Sequence, residues 1–177
     1  MLSGDVLKVG SFLNQQMDSD FIMEMGKEIA RLFEGNRITK ILTVEASGIA
    51  IAVAAGYAMH VPAVFAKKHC SENVTGDLYK SLVHSYTHGN DNEIVIPKEY
   101  LSSFDKVLLV DDFLASGQAF NGLIDIVNQA GATLVGVTAA IEKGFQHGGD
   151  NLREQGIKVE SLAIIDSMDN GKIVFRR

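Results

Sequence analysis

The stretch VLLVDDFLASGQA, residues 107–119, constrains the fold more than any other part of the chain. Its four apolar residues, 107–110, predict a buried β-strand that ends in two adjacent carboxylates, Asp111 and Asp112. A short loop with one glycine follows, and a helical pattern begins at Ala119. A helix N-terminus after a tight turn offers unpaired N–H groups and a positive dipole end, which suit a phosphate. Acids beside such a turn indicate a ligand that carries a phosphate together with hydroxyls or a metal.

The composition is that of a globular protein of a reducing compartment. With 177 residues and 46% apolar content, the chain can form one domain with a full core, over residues 1–177. The net charge of -6 argues against nucleic acid as a partner, and a single cysteine excludes an intrachain disulfide. No apolar stretch is long enough to span a membrane, and residues 1–5 do not resemble a signal peptide. We therefore expect a cytoplasmic protein without a membrane partner.

Elsewhere the chain repeats the order strand, small-residue turn, helix. Apolar periodicity predicts helices over residues 18–35, 49–59, 119–131 and 147–155. Short apolar runs predict strands over residues 40–45, 61–66, 107–110, 134–141, 157–165 and 173–175. This order favours an α/β fold with a mostly parallel twisted sheet flanked by helices. Two strand-turn-helix corners can place their turns at the carboxyl edge of the sheet, where ligands of open α/β sheets bind.

Two segments interrupt this order. Residues 78–87 and 93–96 alternate loosely around a polar stretch, which predicts an antiparallel hairpin that projects from the core as a flap. Residues 5–16 are apolar but irregular, and we expect them to form an arm that lies on the domain.

Asp111 and Asp112 are the first candidates for chemistry. An isolated acid pair is usually a solvated strand end or a helix cap, and neighbouring strand residues point to opposite faces. Both can serve one site only where the strand ends and begins to turn. The glycine turn and helix that follow at once favour a site. Carboxylates there can accept hydrogen bonds from a sugar diol and favour a cationic centre in a transition state.

Two small-residue turns are candidates for binding phosphate. The first consists of Ala115, Ser116, Gly117, Gln118 and Ala119. Its small residues let the backbone approach an anion, and its hydroxyl and amide side chains add donors. The second contains Ala46 and Ser47, and it could hold a second phosphate group or simply connect a strand to a helix.

Four basic or aromatic residues follow predicted strands. Lys67 and Lys68 could meet a polyphosphate or form a solvated basic pair. Lys143 could extend to solvent or donate a hydrogen bond to a carbonyl of a bound base. Phe145 could stack on that base or fill the core. The five histidines show no spacing typical of metal ligands.

Taken together, these motifs resemble the type I phosphoribosyltransferases. LLVDDFLASGQA is similar to the family's motif for phosphoribosyl diphosphate, although most members carry a threonine- and glycine-rich loop after the acids. The segments VLKVGSFLNQQ, VEASGIA, FAKKH and AAIEKGFQHG resemble the bacterial branch that acts on xanthine, and the match covers nearly the whole chain. The resemblance implies the fold of that family, with an inserted antiparallel hairpin flap and a small hood from the N- and C-terminal segments.

The resemblance also implies a reaction of purine salvage. The phosphoribosyl group of 5-phosphoribosyl diphosphate would be transferred to xanthine, giving xanthosine monophosphate and pyrophosphate. Residues 115–119 would bind the 5-phosphate, and Asp111 and Asp112 the ribose hydroxyls. Ala46 and Ser47 would contact the pyrophosphate, with Mg²⁺ bound mainly through the substrate. The hairpin would close over the site.

The same resemblance implies where the base binds. Lys143 would face the exocyclic oxygen of the purine, and Leu7 and Asn14 would line the xanthine site. Members of the family are homodimers, so the region of Lys67 and Lys68 would lie near the neighbouring subunit's site. Relatives carry a short helical segment before the position of Leu2, where this sequence begins, and we expect the packing of the hood to differ there.

Three alternatives stay open at this point. A sister enzyme would act on guanine, hypoxanthine or adenine instead of xanthine. A regulatory protein would use the fold only to sense phosphoribosyl diphosphate, but the sequence has no helix-turn-helix region and no basic face. A phospho-acceptor receiver domain also ends a strand in Asp-Asp, but near its start, whereas here several other elements precede the pair.

Overall fold

A six-stranded sheet forms the centre of this protein, whose computed structural model describes residues 7–68, 76–84, 91–169 and 172–176. In chain order the strands are β1 (Lys40–Val44), β2 (Ala63–Ala66), β3 (Leu78–His84), β4 (Asp91–Pro97), β5 (Lys106–Leu114), β6 (Thr133–Lys143), β7 (Val159–Asp169) and β8 (Lys172–Phe175). The sheet has the order β2-β1-β5-β6-β7-β8 and is parallel except for β8, which runs antiparallel to β7. The predicted mostly parallel sheet is confirmed.

Helices cover both faces of the sheet. They are α1 (Ser19–Leu32), α2 (Gly48–Met59), α3 (Gln118–Gln129) and α4 (Gly148–Glu154). In β5, Leu108 and Val110 pack into the core beneath α1 and α2, whereas Val107 and Leu109 pack into the core beneath α3. A strand buried on both faces must be apolar throughout, which explains the run of residues 107–110.

The N-terminal arm lies on the domain, as expected. Residues Gly10–Asn14 form a π-helical turn, with Val9 and Leu13 buried in the core beneath α1 and α2. Leu7 lines a cavity together with Ile173 and Phe175 of β8, so the two ends of the described chain meet there. This arrangement is the hood that the family resemblance implies.

The hairpin of β3 and β4 is antiparallel, but it does not project freely from the core. Ile94 and Ile96 are buried, and the Val83 side chain packs close to Gly122 of α3. The backbone of Lys67 also pairs with that of Val95. The base of the predicted flap is therefore part of the core, and its turn, residues 85–90, lies outside the described residues.

Strand β5 is longer than predicted. It continues through both acids to Leu114, and α3 begins at Gln118, so the predicted loop of residues 113–118 shrinks to 115–117. The reason is that β6 runs alongside as far as Lys143 and keeps pairing with β5, up to the pair of Leu114 and Glu142.

Within the described ranges, no helix is long and apolar enough to cross a membrane. The prediction of one domain over residues 1–177 stays a prediction.

Candidate active site

The two acids lie at the carboxyl end of the sheet and line one cavity of about 250 Å³. Asp111 and Asp112 are both buried, with 6% and 7% of their surface exposed. The expectation that the strand must end for both to reach one site is wrong, because both are inside β5. β1 pairs with β5 only as far as Leu42 and Leu109, so the last part of β5 has no paired strand on that side among the described residues, and it lines the cavity.

Each carboxylate is oriented by the backbone that follows it. The Asp112 N–H donates to Asp111 Oδ1 at 2.9 Å, and the Phe113 N–H donates to Asp112 Oδ1 at 3.0 Å. Burial, together with the neighbouring Asp112 carboxylate, raises the pKa of Asp111 well above its usual range, and the positive charge of Lys68 partly opposes this shift. A group that carries hydroxyls or a positive charge can compensate such a buried acid pair.

The second corner of the sheet forms another wall of this cavity. Glu45, Ser47 and Lys68 line it, whereas Ala46 is exposed and is not among the lining residues. The peptide bond between Glu45 and Ala46 is cis, and the Lys68 N–H donates to Glu45 Oε1 at 2.7 Å. Lys68 thus lines the cavity of its own chain, although the resemblance placed its region near the neighbouring subunit's site.

The first turn of α3 also borders this cavity. Gly117 precedes α3 with a φ of 85°, a left-handed conformation that glycine adopts without strain. Among the described residues, the N–H groups of residues 116–120 have no hydrogen-bond acceptor, which is the usual state of the start of a helix. Ala119 lines the cavity of the acids, so these free donors lie beside the carboxylates. This is the arrangement that binds phosphate at helix N-termini.

Of the residues predicted for the base, Lys143 lies on a strand, whereas Leu7 and Asn14 lie in the N-terminal arm. Lys143, at the end of β6, places its Nζ 5.6 Å from the ring centre of Phe113, and Phe113 lines the acid cavity. Leu7 lines the second, mostly apolar cavity of about 490 Å³, together with Ile141. Because Ile141 pairs with Phe113 across β6 and β5, the two cavities flank the same strand pair. Asn14 is exposed and is not among the residues that line either cavity.

Sequence reasoning missed three features of this site. Phe113 and Glu45 line the acid cavity, and their only signal was their position at strand ends. Glu142, the residue before Lys143, is fully buried and pairs with Arg153. An acid in a buried strand was the signal for that pair, because such a charge needs a partner.

The geometry therefore provides an acid pair, a lysine and a row of free N–H donors around one cavity. Such a set fits a phosphorylated sugar: the carboxylates accept from hydroxyls and the helix start donates to phosphate. No cluster of three or more acidic, histidine or cysteine side chains is arranged for a metal ion among the described residues. The two carboxylates are nevertheless hard oxygen donors, which suits an Mg²⁺ ion held chiefly by substrate phosphates.

Comparison with known proteins agrees with this chemistry. Residues 12–174 match the family described as phosphoribosyl transferase domain. The chain is 52% identical over 175 residues to the xanthine phosphoribosyltransferase of Lachnoclostridium phytofermentans, covering 98% of this chain and 90% of that protein. It is 53% identical over 175 residues to the xanthine phosphoribosyltransferase of Latilactobacillus sakei, covering 99% and 90%.

Solved structures with the same fold also come from this family. The adenine phosphoribosyltransferase from Thermoanaerobacter pseudethanolicus superposes with a TM-score of 0.72 at 21% identity, over 83% of this chain and 81% of that chain. The APRTase from Giardia lamblia, complexed with 9-deazaadenine, gives a TM-score of 0.71 at 21% identity, over 82% and 83%. Similarity at this level of identity supports the fold alone.

Proposed function

This chain belongs to the phosphoribosyl transferase family, and from that membership we propose that it is a xanthine phosphoribosyltransferase of purine salvage. It transfers the phosphoribosyl group of 5-phosphoribosyl diphosphate to xanthine and releases xanthosine monophosphate and pyrophosphate. The observation that carries this proposal is the identity of 52–53%, over nearly the whole chain, to proteins that bear this name. The acid pair beside a free helix start supports it independently.

In this reaction a ring nitrogen of the purine attacks the anomeric carbon of the ribose. The bond from that carbon to the pyrophosphate oxygen breaks, a carbon–nitrogen bond forms, and the purine releases its N–H proton. Positive charge develops on the ribose in the transition state, and the negative charges of Asp111 and Asp112 stabilise it. This reaction needs no covalent nucleophile from the protein, so catalysis rests on positioning and electrostatics.

The backbone holds the 5-phosphate in this proposal. Gly117 and the first residues of α3 present the free N–H groups, and Ser116 and Gln118 add side-chain donors. Ser47 and Lys68, which line the same cavity, would bind the pyrophosphate, and the backbone of Ala46, next to Ser47, would contribute to that contact. Asp111 and Asp112 are the residues that would contact an Mg²⁺ ion held by the substrate, and the ion would neutralise charge on the departing pyrophosphate.

The purine is proposed to lie beside the ends of β5 and β6. Phe113 lines the cavity and can stack on the base, and Lys143 can donate to its exocyclic oxygen. The N-terminal arm, with Leu7 and Asn14, would cover the base from the other side. Closure of the β3–β4 hairpin over this site would exclude water, which could otherwise hydrolyse the activated sugar.

The test is nucleotide formation from 5-phosphoribosyl diphosphate and Mg²⁺ with xanthine, guanine, hypoxanthine and adenine, followed by chromatography. We expect xanthosine monophosphate, with the highest kcat/KM for xanthine. A higher kcat/KM for another purine would identify a sister enzyme instead. Binding of phosphoribosyl diphosphate without any product would identify a regulator. A cytoplasmic location follows from the phosphorylated substrate, and cell fractionation checks it.

Asn14→Ala is expected to weaken the use of xanthine more than that of hypoxanthine. Only xanthine carries a 2-oxo group, and the loss of one hydrogen bond to it corresponds to a rise in KM of roughly 5-fold to 10-fold. Steady-state kinetics with both purines measures the difference. Gln16→Ala is the matched control, because Gln16 is an exposed amide two residues further along the same arm. Equal changes for the two purines would show that the arm does not recognise the 2-oxo group.

A homodimer that uses the outer face of α2 is also proposed. This helix is apolar all round, and its Val53 and Tyr57 side chains are 56% and 70% exposed. A uniformly apolar helix is normally buried, so a second copy is the expected partner for this face. Tyr57→Glu should shift the sedimentation equilibrium from dimer to monomer. Phe104→Glu, at a 91% exposed position outside α2, should leave it unchanged; a monomeric parent protein would refute the dimer.

A further inference from the structure

An ion pair with a buried carboxylate and a partly exposed guanidinium lies behind the phosphate-binding turn. Glu142 is fully buried at the end of β6, and Arg153 of α4 binds it with two parallel hydrogen bonds, Nη1 to Oε1 and Nη2 to Oε2, both 2.7 Å long. Ser161 of β7 donates to the same carboxylate at 2.6 Å. Paired hydrogen bonds between a guanidinium and a carboxylate fix the direction of approach as well as the distance. The pair therefore fixes α4 relative to the sheet.

Two glycines at the start of α4 pack against Glu142 on one side and against the phosphate-binding turn on the other. A Cβ atom at Gly149 would overlap Glu142 Oε1, so the start of α4 lies directly against the buried carboxylate. A Cβ atom at Gly148 would overlap the Ala115 carbonyl oxygen and lie 2.6 Å from the Gly117 nitrogen. The Gly148 N–H donates to the same Ala115 carbonyl oxygen at 3.1 Å. The turn is thus held from behind by α4, while its own N–H groups stay free in front.

We propose that Glu142 and Arg153 are positioning residues for the 5-phosphate: they fix α4, and α4 fixes the backbone of residues 115–117 through Gly148. The inference rests on the proposed function, because it names what holds the phosphate site of that reaction in place. Neither side chain contacts the substrate. A salt bridge whose carboxylate is fully buried, as that of Glu142 is, adds little net stability compared with an apolar pair of similar size. The pair instead provides directional hydrogen bonds, which an apolar pair lacks, and these fix the position of α4 behind the turn.

The test uses the double variant Glu142→Met/Arg153→Met, which removes both charges and leaves no unpaired buried ion. We expect a folded protein whose Kd for ribose 5-phosphate and KM for 5-phosphoribosyl diphosphate both rise by about 10-fold or more, because a displacement of about 1 Å in a binding site can cost up to about 100-fold. The KM for xanthine and the kcat should stay within about 2-fold. Calorimetric titration with ribose 5-phosphate measures the first quantity without catalysis.

Arg31→Met is the matched control. Arg31 binds Glu28 through two hydrogen bonds in the same way, but this pair is exposed on α1, away from the turn. Its removal should change neither KM. The single variant Arg153→Met, which leaves Glu142 buried and unpaired, is expected to lower the unfolding midpoint, and restoration of that midpoint in the double variant separates stability from positioning.

The inference is overturned if the double variant keeps the parental Kd for ribose 5-phosphate, or if the KM values for both substrates rise equally. A double variant that does not fold would also overturn it, since the pair would then be needed for the fold. Failure of the proposed function looks different: the parent protein itself would form no nucleotide with any purine. A parent that is active and variants that are unchanged would refute only the positioning role.

Discussion

Asp112→Asn is expected to lower kcat by roughly 100-fold to 1,000-fold while the protein stays folded. The substitution keeps the shape of the side chain and an oxygen that can accept from the Phe113 N–H. It removes the negative charge that stabilises the cationic ribose, and the loss of one such electrostatic contact has an effect of this size in other enzymes. Steady-state kinetics with saturating substrates, together with a thermal unfolding midpoint close to that of the parent, provides the measurement.

The variant Asp111→Asn separates the effect of a lost carboxylate charge on activity from its effect on stability. Burial beside the Asp112 carboxylate raises the pKa of Asp111 in the folded state. The folded protein therefore binds this proton more tightly than the unfolded chain does. The stabilisation that comes from this tighter proton binding is fully present below the pKa of Asp111 in the unfolded chain, about 4. It is lost as the pH rises through the pKa of Asp111 in the folded protein. The side-chain amide of the variant Asp111→Asn does not ionise, so the variant does not lose this stabilisation at neutral pH. It should therefore unfold at a higher temperature than the parent.

Both acid variants should thus have a low kcat. A raised thermal unfolding midpoint at neutral pH is expected only for Asp111→Asn. Each 1 kcal/mol recovered corresponds to roughly 2–4 °C in a chain of this size. Unfolding midpoints at pH 4 and pH 8 give the comparison, and the difference between variant and parent should shrink at the lower pH. Full activity in either variant would remove that carboxylate from the reaction.

The sequence was most informative where a local pattern decides the structure. The apolar run of residues 107–110 predicted a buried strand, and the apolar periodicity after residue 18 predicted α1, whose Ile22 and Ile29 lie in the core. Asp18 begins α1 by accepting a hydrogen bond from the Phe21 N–H, as an N-cap residue does. These features depend on residues close together in the chain, so their periodicity and capping could be recognised without the structure.

Features that depend on long-range pairing could not be predicted in this way. β5 continues through the acids because β6 pairs with it that far, and no local signal reports the length of the neighbouring strand. The pair of Glu142 and Arg153 joins a strand to a helix, and the sequence does not show that the two side chains meet. The arm around Leu7 and Asn14 has no regular periodicity, so its roles came only from the family resemblance and stay predictions.

Gly48→Ala is expected to lower both stability and kcat, because the start of α2 touches the acid pair. A Cβ atom there would overlap Thr43 Oγ1 and would lie 2.5 Å from Asp111 Oδ1 and 3.3 Å from Asp111 Cα. All three atoms belong to buried residues of central strands, which cannot move away easily. Overpacking of this kind costs about 1–3 kcal/mol, which exceeds the gain in helix propensity at the first position of a helix.

The loss of activity in Gly48→Ala has a separate cause from the loss of stability. Displacement of the Asp111 carboxylate should lower kcat by about 10-fold or more, since catalysis here rests on positioning. The double variant Thr43→Ala/Gly48→Ala makes room on the side of Thr43 only, so it should recover much of the unfolding midpoint and little of the kcat. Thr43→Val alone is the control: it keeps the shape and removes a buried hydroxyl that has no partner among the described residues, so it should not lower the midpoint. If the double variant recovered the parental kcat, the contact with Thr43, and not that with Asp111, would be what requires a glycine at the start of α2.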